Sequence, residues 1–163
     1  MLLTFPSHDR RGAASSVAGT VTYLSNIVQG DGSTNRDGDS VKLKSITLRG
    51  KAHGQSATLT TFVRIILVMD EAPVAANITP SNVYTAFSGE STDAFRQLGF
   101  TKRMTVLYDK LIKLGTTASE DGSDIKTFKK FIKIDKHLKY EGVAGTIADA
   151  TRNALFSIVF TGS

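Results

Sequence analysis

The sequence predicts an all-β fold, an antiparallel single jelly roll whose eight strands form two four-stranded sheets. Runs of strand length recur along the chain, either alternating between apolar and polar residues or continuously apolar. Loops rich in Gly, Asp, Asn and Ser separate these runs. The strands do not alternate with long helices as they would in a parallel sheet, so an antiparallel sandwich or jelly roll is favoured.

Seven segments carry strand patterns. They are Thr20–Val28, Val41–Arg49, Thr60–Met69, Arg103–Leu114, Thr127–Ile134, His137–Tyr140 and Ala154–Thr161. The alternation in Val41–Arg49 slips at Ser45, which predicts a β-bulge. Thr60–Met69 is continuously apolar and rich in β-branched residues, so we expect it to be buried on both faces. The alternation in the fourth segment places Met104, Val106, Tyr108, Ile112 and Leu114 on one face.

Two long connections interrupt the series of strands. In the first, Thr79 is a suitable N-cap and Pro80 follows it at the first helical position. A short helix is therefore predicted near Pro80–Ala86. The second connection, Gly115–Asp124, is polar and acidic and is expected to be an exposed loop.

The composition limits the classes of function. The chain has 163 residues, enough for one domain with its own core. It contains no cysteine, which excludes disulfides and thiolate metal sites. No apolar run has the length of a membrane span and no signal-peptide pattern is visible, so no membrane partner is expected. A net charge of +5 and a pI near 9.5 instead favour a polyanionic partner.

A loop within Ile27–Gly50 has a composition that suits a calcium site, a phosphate site or a simple turn. An EF-hand loop counted from Asp31 would place Arg36 at the glycine position and Lys42 at the bidentate carboxylate, which excludes that motif. A strand and not a helix follows, so no helix N-terminus is offered to a phosphate. We therefore predict a connection between strands that binds no ion by itself. The candidate ligands of a looser calcium site, shared with a neighbouring subunit, are Asp31, Asp37 and Asp39.

Residues that could support catalysis are scattered. His8, His53 and His137 are isolated in sequence, without the close histidine pair and carboxylate of a jelly-roll metal enzyme. No Gly-x-Ser-x-Gly, Walker or dinucleotide-binding motif is present. Asp109 could serve as a catalytic acid, but a strand-end charge beside Lys110 is the simpler interpretation. The sequence therefore predicts a protein that is not an enzyme.

The basic residues follow the predicted strands. They are Lys42, Lys44 and Arg49 on one strand, Lys102 and Arg103 at the start of another, and Lys129, Lys133 and Lys139 on the polar phase of the Lys-rich run 126–139. Two interpretations stay open, a solvated face or a surface that contacts phosphates without reading the sequence. No aromatic platform of the kind that binds bases in RNA-recognition domains is visible, which argues against base-specific recognition.

The ordered segments of the chain resemble a family of viral proteins. The first two strands of small icosahedral virus capsid proteins are similar to the stretch AGTVTYLSNIVQGDGSTNRDGDSVKLKSITLRG (Ala18–Gly50). The nearest likenesses are the satellite tobacco necrosis virus coat protein and the capsids of circular Rep-encoding single-stranded DNA viruses. The likeness continues in order through Phe62–Asp70, Ile78–Ala86, Lys102–Leu114, Phe128–Gly142 and Asn153–Phe160. The Lys-rich Phe128–Gly142 segment looks more like the DNA-virus members.

This resemblance implies a structural capsid protein, with an N-terminal arm segment at residues 1–17 and a jelly-roll shell domain at residues 18–163. It implies that about sixty copies assemble into a closed T=1 icosahedral shell around a viral nucleic acid, with single-stranded DNA favoured over RNA. Such a protein is located in the virion and is assembled inside the host cell. No cofactor is expected apart from calcium at subunit interfaces, which is known in part of the family.

The resemblance also implies which cations face the nucleic acid. Lys42 and Lys102 match basic positions near the inner wall of the satellite capsids, and Arg64 matches a strand arginine. Members of the family usually carry a long Arg/Lys-rich arm, whereas this chain has only Arg10 and Arg11 at that place. The expected nucleic-acid-facing residues are therefore Arg10, Arg11, Lys42, Lys44, Arg64 and Lys102.

The sequence shows seven strand segments, whereas the predicted jelly roll has eight strands, so one strand position is left unfilled. In the family, the strand matching Ala154–Thr161 is followed by a final strand that pairs beside the first. An empty place there would expose backbone N–H and C=O groups. We therefore expect a chain that continues past Ser163, in preference to a substitute strand from Met1–Phe5.

The residues alone also fit a second class of protein. A non-viral jelly-roll binding module, either lectin-like or a trimeric ligand, would share the strand pattern and the absence of catalytic motifs. Large closed assemblies distinguish the two hypotheses, because a binding module of this kind forms only monomers or trimers.

Overall fold

The computed structural model describes residues 19–53, 61–87, 90–96, 102–115 and 125–162 of the chain. In these ranges the chain forms nine strands and one short helix. They are β1 (Thr20–Tyr23), β2 (Ser40–His53), β3 (Thr61–Asp70), α1 (Pro80–Val83), β4 (Tyr84–Phe87), β5 (Glu90–Arg96), β6 (Met104–Leu114), β7 (Ile125–Tyr140), β8 (Ala150–Arg152) and β9 (Ala154–Gly162). The all-β class predicted from the sequence is confirmed.

Two antiparallel sheets and a separate two-stranded ladder make up a jelly-roll-like fold. The first sheet has the order β1-β9-β3-β6, and the second has the order β2-β7-β8. Within the described ranges, β4 and β5 pair only with each other. The sheets thus contain four, three and two strands, where the sequence predicted four and four. The difference arises because Tyr84, the first residue of the ladder, is buried against the first sheet together with Val83 of α1, so the ladder does not extend the second sheet.

The first sheet is buried on both faces. On one face, Ile66 of β3 packs with Phe156 of β9 and with Tyr84. On the other face, Leu67 of β3 packs against apolar residues of the second sheet. These include Leu43, Ile46, Leu48, Ile132 and Leu138. The predicted burial of β3 on both faces is confirmed for residues 66–70, which are all buried, whereas residues 62–65 are half-buried.

A β-bulge interrupts the pairing of β2 with β7 at the predicted place. The register slips between Leu43 and Ser45 of β2. Two residues of β7, Ile134 and Asp135, lie opposite the single residue Lys44, and Asp135 has a positive φ of 53°. The bulge also explains a correction, because β7 runs continuously through it, where the sequence predicted one strand on each side.

A second register slip changes the faces of β6. It leaves Leu107 without a partner residue in β3. As a result, Met104 and Val106 pack on one side of the first sheet, whereas Tyr108 packs on the other. The prediction of one shared face for Met104, Val106, Tyr108, Ile112 and Leu114 is therefore wrong, because a bulge reverses the alternation of side chains.

The helix α1 begins as predicted and ends earlier. The backbone N–H of Thr79 donates to Asn82 Oδ1 at 2.8 Å, and Pro80 occupies the first turn. The helix stops before the predicted Ala86, because Tyr84 is already extended, with φ −132° and ψ 141°. No helix in the described part of the chain is long and apolar enough to cross a membrane.

The place beside the first strand is filled by β9. This strand pairs with β1 on one side and with β3 on the other. The expectation that a further strand pairs beside β1 is therefore wrong, because Ala154–Gly162 is itself that strand. The strands that the sequence analysis missed are β4, β5 and β8. β1 ends at Tyr23 and not at Val28, and Met1–Phe5 lies outside the described residues.

Candidate nucleic-acid interface

The paired strands β2 and β7 concentrate positive charge. β2 carries four cations and β7 carries six, which is half of the 20 Lys and Arg residues of the chain, and Asp135 is their one carboxylate. Alternate residues of both strands are buried against the first sheet, so the residues between them face outwards. The outward cations are Lys42, Lys44, Arg49 and Lys51 of β2 and Lys129, Lys133 and Lys139 of β7, all exposed.

Some of these cations face each other in register. Arg49 lies directly opposite Lys129, and Lys139 lies directly opposite Arg152 of β8. Like charges at such positions destabilise an antiparallel pair. Six of the seven outward cations form no ion pair with any residue that the structure describes. Four of these six lie on the same side of the bulge, towards the His53 end of β2, and we call them the basic face. They are Arg49, Lys51, Lys129 and Lys133.

At the bulge, the carboxylate of Asp135 offsets part of the positive charge of β2 and β7. Asp135 Oδ1 lies 3.0 Å from Lys42 Nζ. The hydrogen bond and the charge of Lys42 lower the pKa of Asp135, and the charge of Lys133 adds to this effect. Lys42 is therefore partly neutralised within the fold, whereas Lys44 is exposed at the bulge.

A groove of about 400 Å³ lies at the end of β7. Its lining consists of Glu71, Asp135, Lys136, His137, Lys139, Arg152 and Asn153. Lys136 Nζ lies 2.8 Å from Glu71 Oε1, and Thr105 Oγ1 donates to the same oxygen at 3.0 Å. These two hydrogen bonds lower the pKa of Glu71. Because the groove mixes both signs of charge, it suits a polyanion less well than the basic face does.

Arg64, one of the expected nucleic-acid contacts, is engaged within the fold. Its Nε and Nη2 donate to the two carboxylate oxygens of Asp109, each at 2.8 Å. Its guanidinium lies 4.6 Å from the centre of the Tyr84 ring, and Tyr84 Oη donates to Asp109 Oδ2 at 2.7 Å. The hydrogen bond to Asp109 raises the pKa of Arg64. These contacts tie β3 to β6 and β4, and they give Asp109 a structural role.

The loop between β1 and β2 is organised around a buried arginine. Arg36 is 3% exposed. Its Nε donates to Ile27 O at 3.2 Å, and its two terminal nitrogens donate to Gly38 O and Gly142 O. Its guanidinium also lies 4.5 Å from the centre of the Tyr140 ring. The Arg36 side chain therefore donates hydrogen bonds to carbonyl oxygens in and beside this strand connection that would otherwise have no donor among the described residues.

The three aspartates named as calcium candidates all lie in this loop. Asp31, Asp37 and Asp39 are exposed. Asp39 Oδ1 lies 3.5 Å from Arg36 Nη1. Among the residues that the structure describes, no three His, Cys, Asp or Glu side chains come together as a metal site. Binding of calcium between two copies of the chain stays a prediction.

The other predicted contacts are only partly brought together. The structure places Lys42 and Lys44 on the outward side of β2. Lys102 is exposed in the turn before β6, a strand of the first sheet, and so lies apart from β2 and β7. Arg10 and Arg11 lie outside the described residues. The predicted nucleic-acid contacts therefore do not form one cluster. Lys129 and Lys133 of β7 lie beside β2, although the predicted set did not include them.

Phe131 is a residue of this surface that sequence analysis did not single out. It lies on the outward side of β7 and is 62% exposed. Its partner across the pairing is Thr47, and Lys129 and Lys133 flank it on the same side of β7. The signal was present in the spacing, because alternate residues of a strand share a face. Because the next residue, Ile132, is also apolar, the sequence alone does not decide which of the two side chains faces outwards.

The strand order of the first sheet and the second sheet packed on it form a jelly-roll-like β sandwich, and the outward side of its second sheet carries an excess of cations. The chain belongs to the satellite tobacco necrosis virus coat protein family, whose model matches residues 10–163. It is also 28% identical over 156 residues to the capsid protein of Bean golden yellow mosaic virus (isolate Puerto Rico). That match covers 91% of this chain and 61% of that capsid protein.

This family membership confirms the resemblance to viral capsid proteins. It also decides between the two classes left open by the residues, because a coat protein family excludes the non-viral binding module. A capsid protein has a structural role and is located in the virion. The chain spans 61% of the length of the curated relative that it matches.

Proposed function

We propose that about sixty copies of the chain assemble into a closed T=1 icosahedral shell that encloses a viral genome. Membership of a coat protein family supports the assembly. The proposal includes assembly inside the host cell and a role that is structural and not catalytic. The genome contact is assigned to the basic face.

The electrostatics of the basic face carry this proposal. Arg49 and Lys129 lie directly opposite each other, an arrangement that costs free energy in the isolated subunit. A row of phosphates along the two strands would replace this repulsion by attraction. Such contacts release counterions from the nucleic acid, so binding is independent of base sequence and falls with rising salt. A packaged genome requires contacts of this type.

Single-stranded DNA is the proposed genome. The support is the likeness of Phe128–Gly142 to the capsids of circular Rep-encoding single-stranded DNA viruses. Lys129 and Lys133 belong to this segment, so it also supplies half of the basic face. Assembly in a mixture of single-stranded DNA and RNA of equal length, followed by nuclease digestion of the extracted cargo, tests the preference. Equal packaging of the two would contradict it.

Exposed apolar side chains in two loops supply a candidate contact between copies. Val28 is 46% exposed and Val143 is 67% exposed. The two loops are joined, because Gln29 N–H donates to Val143 O at 2.9 Å. Side chains of this kind lose contact with water when a neighbouring copy covers them. The adjacent loop holds the calcium candidates Asp31, Asp37 and Asp39, so a shared ion would bind at the same contact.

Light scattering and negative-stain microscopy of the purified chain test the assembly. We expect uniform closed particles, in contrast to the monomers or trimers of a binding module. The double variant V28D/V143D should yield unassembled subunits, because it places charges in the proposed contact. The matched control is Val74→Asp, which changes a valine of similar exposure (63%) in the loop after β3 and should still assemble. Monomers or trimers under every condition of salt, calcium and added nucleic acid would contradict the proposal.

A further inference from the structure

The exposed ring of Phe131 is out of place on a surface of charged side chains. The ring is 62% exposed, although the next residue along β7, Ile132, is buried in the core. Its partner across the pairing with β2, Thr47, is a smaller residue and does not cover the ring. Single exposed apolar side chains are common on protein surfaces, so the residues around the ring decide what it could bind.

Three cations surround this ring. Lys129 and Lys133 are each two residues from Phe131 on the same side of β7, which places them about 7 Å away along the strand. Arg49 lies opposite Lys129 on β2. An aromatic face between cations is the combination that binds single-stranded nucleic acid, because bases stack on the ring while cations track the phosphates.

We propose that Phe131 stacks on an unpaired base of a single-stranded nucleic acid, while Arg49, Lys129 and Lys133 contact the phosphates on either side. This inference rests on the proposed genome contact and deepens it by naming the residue on which an unpaired base stacks. A paired base in a duplex has both faces covered by its neighbours, so it cannot stack on Phe131 without unstacking. Duplexes would therefore use the cations alone.

A second copy of the chain is the competing occupant of this surface. In a two-fold contact, the basic face of one copy would meet the basic face of the other. That arrangement places like charges against each other and costs free energy. A polyanion instead satisfies the cations and the ring together. The charge of the surface therefore favours nucleic acid over a second copy.

Binding of labelled oligonucleotides to the full chain tests the inference. The probes are oligothymidylate and a duplex of the same length. Phe131→Ala should weaken oligothymidylate binding by roughly 5- to 150-fold, the equivalent of losing one stacked base. Its affinity for the duplex should not change. The matched control Leu111→Ala, which truncates a 45% exposed leucine on β6, should change neither affinity.

A second variant gives a direct signal of stacking. The chain contains no tryptophan, so Phe131→Trp introduces a single indole at the proposed position. Oligothymidylate should quench its fluorescence and the duplex should not. An unquenched indole together with an unchanged affinity of Phe131→Ala would overturn the stacking inference. Normal oligonucleotide binding by Phe131→Ala with failure to form particles would also overturn it, since the ring would then be a subunit contact.

The proposed genome contact has its own readout in the same assay. The double variant K129Q/K133Q should weaken binding of both probes and should reduce the dependence of the binding constant on salt. If this variant binds both probes like the parent, the assignment of the genome contact to the basic face is wrong. If it weakens both probes but Phe131→Ala weakens neither, the genome contact holds and only the stacking inference fails.

Discussion

Replacing Lys129 by Gln should stabilise the isolated subunit and weaken its binding to nucleic acid. Lys129 lies directly opposite Arg49 and has no ion-pair partner among the described residues. Cross-strand pairs of this kind are worth about 0.2 to 1 kcal/mol, and exposure of both side chains favours the lower half of that range. In a chain of 163 residues, the gain should raise the midpoint of thermal unfolding by roughly 1 °C.

Thermal unfolding of dissociated subunits at two salt concentrations measures this effect. The Debye length is about 30 Å at 0.01 M salt and about 3 Å at 1 M, so the gain should be present in dilute salt and absent in concentrated salt. Lys130→Gln is the matched control. It removes the same charge from the next position, which lies opposite Leu48, and should give no comparable gain.

Lys129→Gln should bind oligothymidylate more weakly than the parent, although its subunit is more stable. Loss of one phosphate contact should reduce the slope of the logarithm of the binding constant against the logarithm of salt concentration by about 0.7. A variant that is less stable than the parent in dilute salt would refute the argument from like charges. A gain that is equally large at both salt concentrations would refute it as well.

Three further predictions concern charges inside the fold. Arg103 Nε donates to the fully buried carboxylate of Asp70 at 2.7 Å, so Arg103→Met should lower the free energy of unfolding by about 3 to 5 kcal/mol in urea. Arg36→Met leaves three loop carbonyls without their donor and should cost about 3 kcal/mol or more in the same assay. The hydrogen bond from Lys136 lowers the pKa of Glu71, so the ionised Glu71 stabilises the fold fully above pH 4.5, its ordinary pKa, and this stabilisation is lost as the pH falls further. Lys136→Met should therefore make the free energy of unfolding depend less on pH on the acid side.

Matched variants accompany these three predictions. Lys102→Met removes an exposed cation beside Arg103 and should change the free energy of unfolding by less than about 0.5 kcal/mol. Asp39→Asn removes the exposed carboxylate near Arg36 and should have a similarly small effect. Lys139→Met should leave the pH dependence intact. If Arg103→Met or Arg36→Met lowers the free energy of unfolding by less than about 0.5 kcal/mol, the role assigned to that arginine is wrong. If Lys136→Met leaves the pH dependence of stability unchanged, the role assigned to the Lys136–Glu71 pair is wrong.

Local sequence patterns predicted the features of the fold that are decided locally. The slip of alternation at Ser45 predicted the bulge because side-chain period is a property of the strand itself. Thr79 and Pro80 predicted the start of α1 for the same reason. The end of α1 could not be predicted, because it depends on the burial of Tyr84 against the first sheet. The bulge at Leu107 was hidden as well, since the residues around it continue to alternate in the sequence.

The candidate interface was predictable in kind but not in its members. The Lys-rich run 126–139 left two interpretations open, a solvated face or a surface that contacts phosphates, and its polar phase contains Lys129 and Lys133. The pairing of β2 with β7 brings Arg49 to these lysines, and only the three-dimensional register specifies it. Arg64 could not be separated from the exposed cations by sequence, because its partner Asp109 is distant along the chain. The exposure of Phe131 depends in the same way on which face of β7 packs on the core.

The nucleic-acid content of purified particles tests the central claim most directly. Two triple variants are compared with the parent by ultraviolet absorbance, R49Q/K129Q/K133Q on the basic face and K42Q/K44Q/K102Q at the positions indicated by sequence. Lys42 is paired with Asp135 and Lys102 lies in the turn before β6, so of the three only Lys44 is an outward cation of β2 that is unpaired among the described residues, and the second variant should keep more of its cargo than the first. The basic-face variant should form closed particles with little nucleic acid. Basic-face particles that carry as much nucleic acid as the parent would contradict the account.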